Sequence, residues 1–208
     1  MSTTLRSTIR IELGWTWRDQ AAGLLFTDSN RVLYRQDLAD GTAPGQADAV
    51  YHALDQTLAA GQALELALDA LEQTMFGGSV PVRLARVKAL LVINKSTSGL
   101  LVVGGAASEA WLGPFGLWDA TVRIPPDNPF FAAHRGEGWP VESGANRLRL
   151  EALGAEVRFD LVLLGTTSNG NAESSSSAWS SGTSAGGSSS SSAWSSSAWP
   201  SSSSSAIP

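Results

Sequence analysis

Apolar side chains recur at every second position through most of the first 165 residues. Ile9-Arg10-Ile11-Glu12-Leu13 alternates apolar with polar, and Trp15 and Trp17 extend the odd-numbered face. Such a period predicts a half-buried strand, because successive side chains of a strand point to opposite faces. Leu24-Leu25-Phe26 and Val32-Leu33-Tyr34 predict two more extended segments, and the polar run Thr27–Arg31 between them has the chemistry of a hairpin turn. Ala39–Ala47, rich in Asp, Gly and Pro, reads as a loop. Asp48–Gln73 sets two signals against each other. Its Ala, Leu and Glu favour helix by propensity, but Leu64, Leu66 and Leu68 recur at period two and Gly61 interrupts the run. Period outweighs propensity here, and the segment is expected to form two strands.

The second half repeats the pattern. Gly77-Gly78-Ser79 predicts a turn, and Val82-Arg83-Leu84 an extended piece. Val87–Ile93 is nearly continuously apolar, as expected of a central strand covered on both faces. Asn94–Gly99 predicts a turn, and Leu100–Val103 is expected to return as the hairpin partner of Val87–Ile93. Trp111–Trp118, broken by Pro114, reads as a long loop. Thr121–Ile124, Phe130-Phe131, Arg147–Glu151 and Val157–Leu163 complete the set, with Leu148, Leu150, Val157, Phe159, Leu161 and Leu163 facing inward.

About ten short strands spaced by turn residues predict an all-β chain, a jelly-roll-like β-sandwich over residues 1–165. The sequence shows no βαβ alternation. From residue 166 to 208 the composition changes to Ser, Gly, Ala and Trp, with Glu173 the last ionisable residue. Ser177-Ala178-Trp179-Ser180 recurs as Ser192-Ala193-Trp194-Ser195, and Ser197-Ala198-Trp199-Pro200 follows. So few apolar residues do not offset an ordering cost of about 1–2 kcal/mol per residue, which predicts a disordered or extended tail. The repeated Ser-Ala-Trp-Ser also opens a streptavidin-binding peptide, but the His-Pro-Gln of that peptide is absent.

Composition narrows the possible chemistry. Only 16% of residues are charged and the net charge is −5, with no Lys/Arg cluster, so a nucleic-acid partner is not expected. Arg147, Arg149 and Arg158 alternate with apolar residues and read as solvated strand faces. Zero Cys excludes disulfides and thiolate metal sites. No apolar run nears the ~20 residues of a membrane span. His52 and His134 are the two imidazoles, too few for the three or four protein ligands of a typical zinc site. His52 lies near Asp55 without a nucleophile-elbow motif. Glu65 and Asp69 are expected on one strand face, and Asp37, Asp40 and Asp48 lack calcium-loop spacing. Gly104-Gly105 lacks the Lys-Ser/Thr of a phosphate loop. No catalytic residue, metal or cofactor is expected, and the chain reads as non-enzymatic. The Trp residues remain as candidate interface anchors or sugar platforms: Trp15, Trp17, Trp111 and Trp118 in the folded part, and Trp179, Trp194 and Trp199 in the tail. Trp111 and Trp118 stand out through their Gly/Pro loop.

A set of short motifs carries a resemblance over about residues 39–165. In order they are Gly41-Thr42, Gln46-Ala47, Val50-Tyr51-His52, Thr57–Gly61, Ala85–Leu90, Val103–Ala107, Trp111-Leu112-Gly113, Ile124-Pro125-Pro126, Gly138-Trp139, Val141 with Ser143-Gly144, Leu148–Ala152 and Phe159–Gly165. This order resembles a family of tailed-bacteriophage virion proteins. The resemblance implies a β-rich virion structural protein assembled in the host cytoplasm, first a capsid-decorating (cement) protein and next a tail or fibre component. It implies the major capsid protein or other virion proteins as partners. A homo-oligomer is expected, a trimer from shell geometry. Asp127-Asn128 departs from the pattern, where relatives tend to carry Gly, and the Ser/Trp tail lies outside it. A carbohydrate-binding module, with surface polysaccharide as ligand, is the alternative reading of the exposed Trp.

Overall fold

The computed structural model describes residues 4–21, 24–75 and 77–167. Among these the fold is all-β, with thirteen strands and no helix. Strands β1 (Ser7–Ala21) and β2 (Leu24–Leu38) form a two-stranded antiparallel arm. The body starts at β3 (Ala49–Leu58) and β4 (Ala63–Ala67), followed by a small hairpin of β5 (Leu71–Met75) and β6 (Gly78–Val82). Then come β7 (Arg86–Asn94), β8 (Leu100–Gly104), β9 (Thr121–Ile124), β10 (Asn128–Ala133), β11 (Trp139–Pro140), β12 (Arg147–Leu153) and β13 (Val157–Thr166).

Two sheets make the sandwich. One has the order β10-β7-β13-β3, with β11 also on β7, and the other β4-β12-β8-β9. Set aside the arm, the β5–β6 hairpin and β11, and eight strands remain. The first of these pairs with the eighth, the second with the seventh, the third with the sixth and the fourth with the fifth. This is the order of a strand ribbon folded back on itself. The inward residues of both sheets meet in one core: Leu90, Val92, Phe159, Leu161 and Leu163 from one side, Leu101, Val103, Ile124, Leu148 and Leu150 from the other. Phe159, Leu161, Leu148 and Leu150 are completely buried, as their alternation predicts.

Three expectations need correction. Thr27–Arg31 is not a turn. It lies within β2 and pairs with Gly14–Arg18, and the register Ala21↔Leu24 leaves only residues 22 and 23 between the strands. Its polar side chains are cross-strand partners instead: Thr16 faces Ser29 at 3.2 Å, and Trp15 Nε1 donates to Asp28 Oδ2 at 2.9 Å. Second, Leu100–Val103 does not return beside Val87–Ile93. It crosses to the other sheet, where β8 pairs with β12 and β9. Asn94 holds that crossing. Fully buried, its amide nitrogen donates to Gly99 O and Ile124 O, and its Oδ1 accepts from Ser96 N and Oγ. Satisfying the amide inside the bend favours crossing over a tight hairpin. Third, Asp48–Gln73 holds β3, β4 and the start of β5 rather than two strands; the preference for strand over helix is correct.

The body's rims are covered locally. Gln73, nearly buried, offers Oε1 to the backbone N–H of His52 and so covers part of the free edge of β3, a place where unpaired donors would recruit other chains. Sheet bulges fall between Phe159 and Leu161 and between Leu164 and Gly165. At the second, a Cβ on Gly165 would overlap the Arg86 carbonyl oxygen. The last strand runs on through Thr166, and Thr167 donates from N and Oγ1 to the Asp48 carboxylate, so the ordered body passes the expected boundary at 165.

Candidate interaction surface

The arm is amphipathic because its register makes it so. Residues directly opposite in an antiparallel pair point the same way. Ile9 lies opposite Gln36, Ile11 opposite Tyr34, Leu13 opposite Val32, Trp15 opposite Asn30 and Trp17 opposite Asp28. One face therefore carries Ile9, Ile11, Leu13, Trp15, Trp17, Val32 and Tyr34, with Gln36, Asn30 and Asp28 among them. The other carries Arg10, Glu12, Arg18, Arg31, Arg35 and Asp37, with Leu33 among them. Arg10 and Arg31 both pair with Glu12, at 2.7 and 3.4 Å, and Arg35 pairs with Asp37 at 3.2 Å. Exposed pairs of this kind add little stability, and they identify the solvated face.

Among the described residues, only the base of the apolar face is covered by the chain itself. Ile9 and Leu38 pack with Ala47, Ala89 and Leu164 on the outer side of the β7–β13 sheet, flanked by Leu5, Val50 and Phe131. Beyond Ile9 the arm leaves the sheet. Ile11 is 44% exposed, Leu13 67%, Trp17 56% and Val32 60%. Between the arm's base and the outer sheet face runs an open groove of about 560 Å³ lined by Ile9, Ile11, Leu91, Phe131, Val162 and Leu164 among others. An exposed apolar surface of this size is unusual for a lone soluble chain.

The predicted Trp anchors separate into groups. Trp15 and Trp17 stand side by side on the exposed arm. Trp111 does not fit its expected role: it is 2% exposed, its Nε1 donates to Pro140 O, and it meets Phe115 and Trp139 edge to face at 6.2 and 6.3 Å. Its loop folds it into the core because Ala110 bridges Arg147, which draws the next residue over β12. Trp118, in the same loop, is exposed beside Leu117. Trp179, Trp194 and Trp199, with the whole tail expectation, lie outside the described residues.

The candidate chemical groups are dispersed. Asp37 is on the arm, where a hydrogen bond from Thr8 and then one from Arg35 hold its carboxyl below the ordinary range. Asp40 accepts from Leu5 N, and Asp48 from Thr167. Asp69 sits in the turn after β4, accepting from Asn146 Nδ2 at 2.8 Å, so it does not share a strand face with Glu65. Among the described residues no three His, Cys, Asp or Glu gather as metal ligands would. His134 packs edge to face on Trp139 at 5.6 Å and accepts at Nδ1 from Gly138 N. Asp55 forms an ion network with Lys95, Arg158 and, through Lys95, Asp160. The hydrogen bond from Lys95 depresses the Asp55 carboxyl, and Asp55 in turn raises Lys95.

Lys88 is a residue that pattern reading passed over. It is 1% exposed, and its ammonium donates to Gly136 O, so burial pushes it below the usual lysine range, opposed by Glu137. Gly138, at φ +81°, allows the loop to approach; a Cβ there would lie 2.9 Å from Lys88 Cδ. The available signal was a single cation inside the apolar run Val87–Ile93.

By fold and surface the chain belongs to the all-β sandwiches, here with a projecting amphipathic arm. No family model, no curated protein and no solved structure matches the chain.

Proposed function

We propose that this chain is a non-enzymatic structural protein of a tailed-bacteriophage virion, a capsid-decorating (cement) protein whose role is to be built into a larger assembly. The observation that carries this reading is the arm, whose apolar face extends well beyond what its own body covers. Removing such a face from water is worth roughly 25 cal/mol per Å², and a shell supplies neighbours on which to place it. Assembly and stability then become one quantity through mass action. The motif order over residues 39–165 supports the virion assignment, with the coat lattice as partner and a tail or fibre station as the variant of the same reading. A mass-spectrometric census of purified particles tests it: the chain is expected at a copy number matching the coat lattice. Absence from particles, or presence at a few copies per tail, refutes the cement role.

A second reading rests on Trp15 and Trp17, which sit two residues apart on one face, roughly 7 Å along the strand. Paired indoles of that kind stack on sugar rings. Quenching of Trp fluorescence by a surface polysaccharide, abolished in Trp17→Ala, would favour carbohydrate binding over attachment by burial.

A further inference from the structure

We infer that the arm's apolar face is covered by the arm of a second copy of this chain, in a two-fold, face-to-face and antiparallel arrangement. This rests on the attachment reading above but has its own test.

Side chains are unevenly distributed along the face. Near the base it is aliphatic, with Ile9 and Ile11, and it borders the open groove. Near the tip it is aromatic, with Trp15 and Trp17. Leu13 and Val32 lie between, both well exposed. Turning a second arm head to tail over the first, centred on Leu13, sets Leu13 on Leu13 and Ile11 on Trp15, and it brings Trp17 to the groove beside Ile9, which is already covered by its own body. Each bulky tip then lies over the other copy's small base and groove. A groove of about 560 Å³ falls within the 300–1,000 Å³ typical of sites that enclose a compact organic group, and it can take the partner's indoles. The face is thus complementary to itself, which is the requirement for an isologous two-fold contact.

Area and charge agree. Ile11, Leu13, Trp15, Trp17, Val32 and Tyr34 are each 40–67% exposed. Together they offer on the order of 600 Å² per arm, about 1,200 Å² for two copies, the lower end of stable specific interfaces. The charged face, with Arg10, Glu12, Arg31 and Arg35, points away from the contact on both copies and stays in water, while Asp28, on the contact face near the tip, accepts from Trp15 Nε1 of its own arm. Two hairpins stacked this way make a four-stranded unit with one dry interior, whereas a lone two-stranded hairpin is marginal in water. Because the same patch serves both sides, the arm builds a dimer and not the trimer expected from shell geometry.

The chain contains no Cys, so introduced thiols are unique markers. In the full-length protein, Leu13→Cys is expected to link to itself through a short bis-maleimide able to span the ~10 Å between packed sheets. An equimolar mixture of Ile11→Cys and Trp15→Cys is expected to link across, while Trp15→Cys alone links poorly. Efficient self-linking of Trp15→Cys, matching the mixture, overturns the antiparallel register. By light scattering at high micromolar concentration the unmodified chain is expected as a dimer, and a monomer overturns the proposal. Leu13→Arg is expected to raise the dimer dissociation constant about 100-fold with an unchanged circular dichroism spectrum, whereas Arg31→Ala on the opposite face leaves it unchanged. If changing Trp179, Trp194 and Trp199 together to Ser dissolves the dimer, the tail is the occupant and the proposal fails. The particle census is independent of all these results, so a failed dimer with a lattice-matched copy number would leave the attachment role standing.

Discussion

The arm and the β7–β13 pair are written in the same two-residue rhythm, yet they end in opposite environments. Phe159, Leu161 and Leu163 are completely buried, while Leu13, Trp17 and Val32 are mostly open to solvent. The difference is topological. β13 faces a second sheet that the same ribbon supplies when it folds back, pairing its first strand with its last. The arm precedes that ribbon, its two strands pair with each other, and among the described residues its buried apolar contacts with the body are at Ile9, Leu38 and the residues beneath them. Alternation therefore states which face of a strand is dry, and the chain's path determines whether its own chain keeps it dry.

Truncations sharpen this contrast most. Leu161→Ala in the core is expected to cost about 3–5 kcal/mol in chemical denaturation, through lost transfer energy and an unfilled cavity. Leu13→Ala, an equal chemical change on the arm, is expected to shift the stability of the dissociated chain by less than about 0.5 kcal/mol. Comparable losses at both sites would mean the arm's apolar face is packed within the single chain. Next comes the crossing between sheets. Asn94→Ala strips partners from the buried Ile124 carbonyl, the half-buried Gly99 carbonyl and Ser96, with an expected loss of about 2–3 kcal/mol in thermal or urea unfolding. A loss under ~0.5 kcal/mol would show that β8 reaches the second sheet without this amide. Gly165→Ala, forcing a Cβ against the Arg86 carbonyl at the bulge, is expected to cost about 1–3 kcal/mol, again measured by denaturation.

The smallest effects are electrostatic and depend on pH. Asp55 titrates below its ordinary 3.8 because Lys95 donates to it, outweighing partial desolvation. Its contribution is therefore present above that value and lost as pH falls through the lower folded value. Lys95 is raised above 10.5 by Asp55 and then Asp160. Its contribution is complete below that value and lost as pH climbs through the folded one. Asp55→Asn should flatten the acid limb of a stability–pH curve and also weaken the alkaline limb. Asp37 on the arm, depressed by Thr8 and then Arg35, behaves as Asp55 does on the acid side. Asp37→Asn should change arm-base hydrogen exchange most above the ordinary carboxylate value, the difference from the parent shrinking as pH falls below it, while leaving body amides unaltered. An identical change across the body would show that arm and body open together.

Much of the body was readable from local pattern. The inward set Leu148, Leu150, Val157, Phe159, Leu161 and Leu163 follows from period two, and the central strand at Val87–Ile93 from its continuous apolarity, although Leu91 and Ile93 on its outer face are only half-buried. Those strands carry their signal in their own side chains. The misread places are those where a local signal served a distant partner. Thr27–Arg31 has turn composition, but its polar groups pair with Gly14–Arg18. Asn94 has turn chemistry, but it folds the chain from one sheet to the other. Trp111 shares a loop with exposed Trp118, and nothing within Trp111–Trp118 separates the buried indole from the open one. Lys88 reads as an ordinary strand cation until the 134–138 loop closes over it.

The sequence by itself determined the class of the fold and the two faces of each strand, because both follow from the alternation of side chains along an extended backbone. Which strands pair, which sheet each joins and which Trp stays exposed were decided only in the tertiary structure. Those outcomes depend on contacts between residues far apart in the chain, and a period-two pattern is the same whichever neighbour it eventually meets.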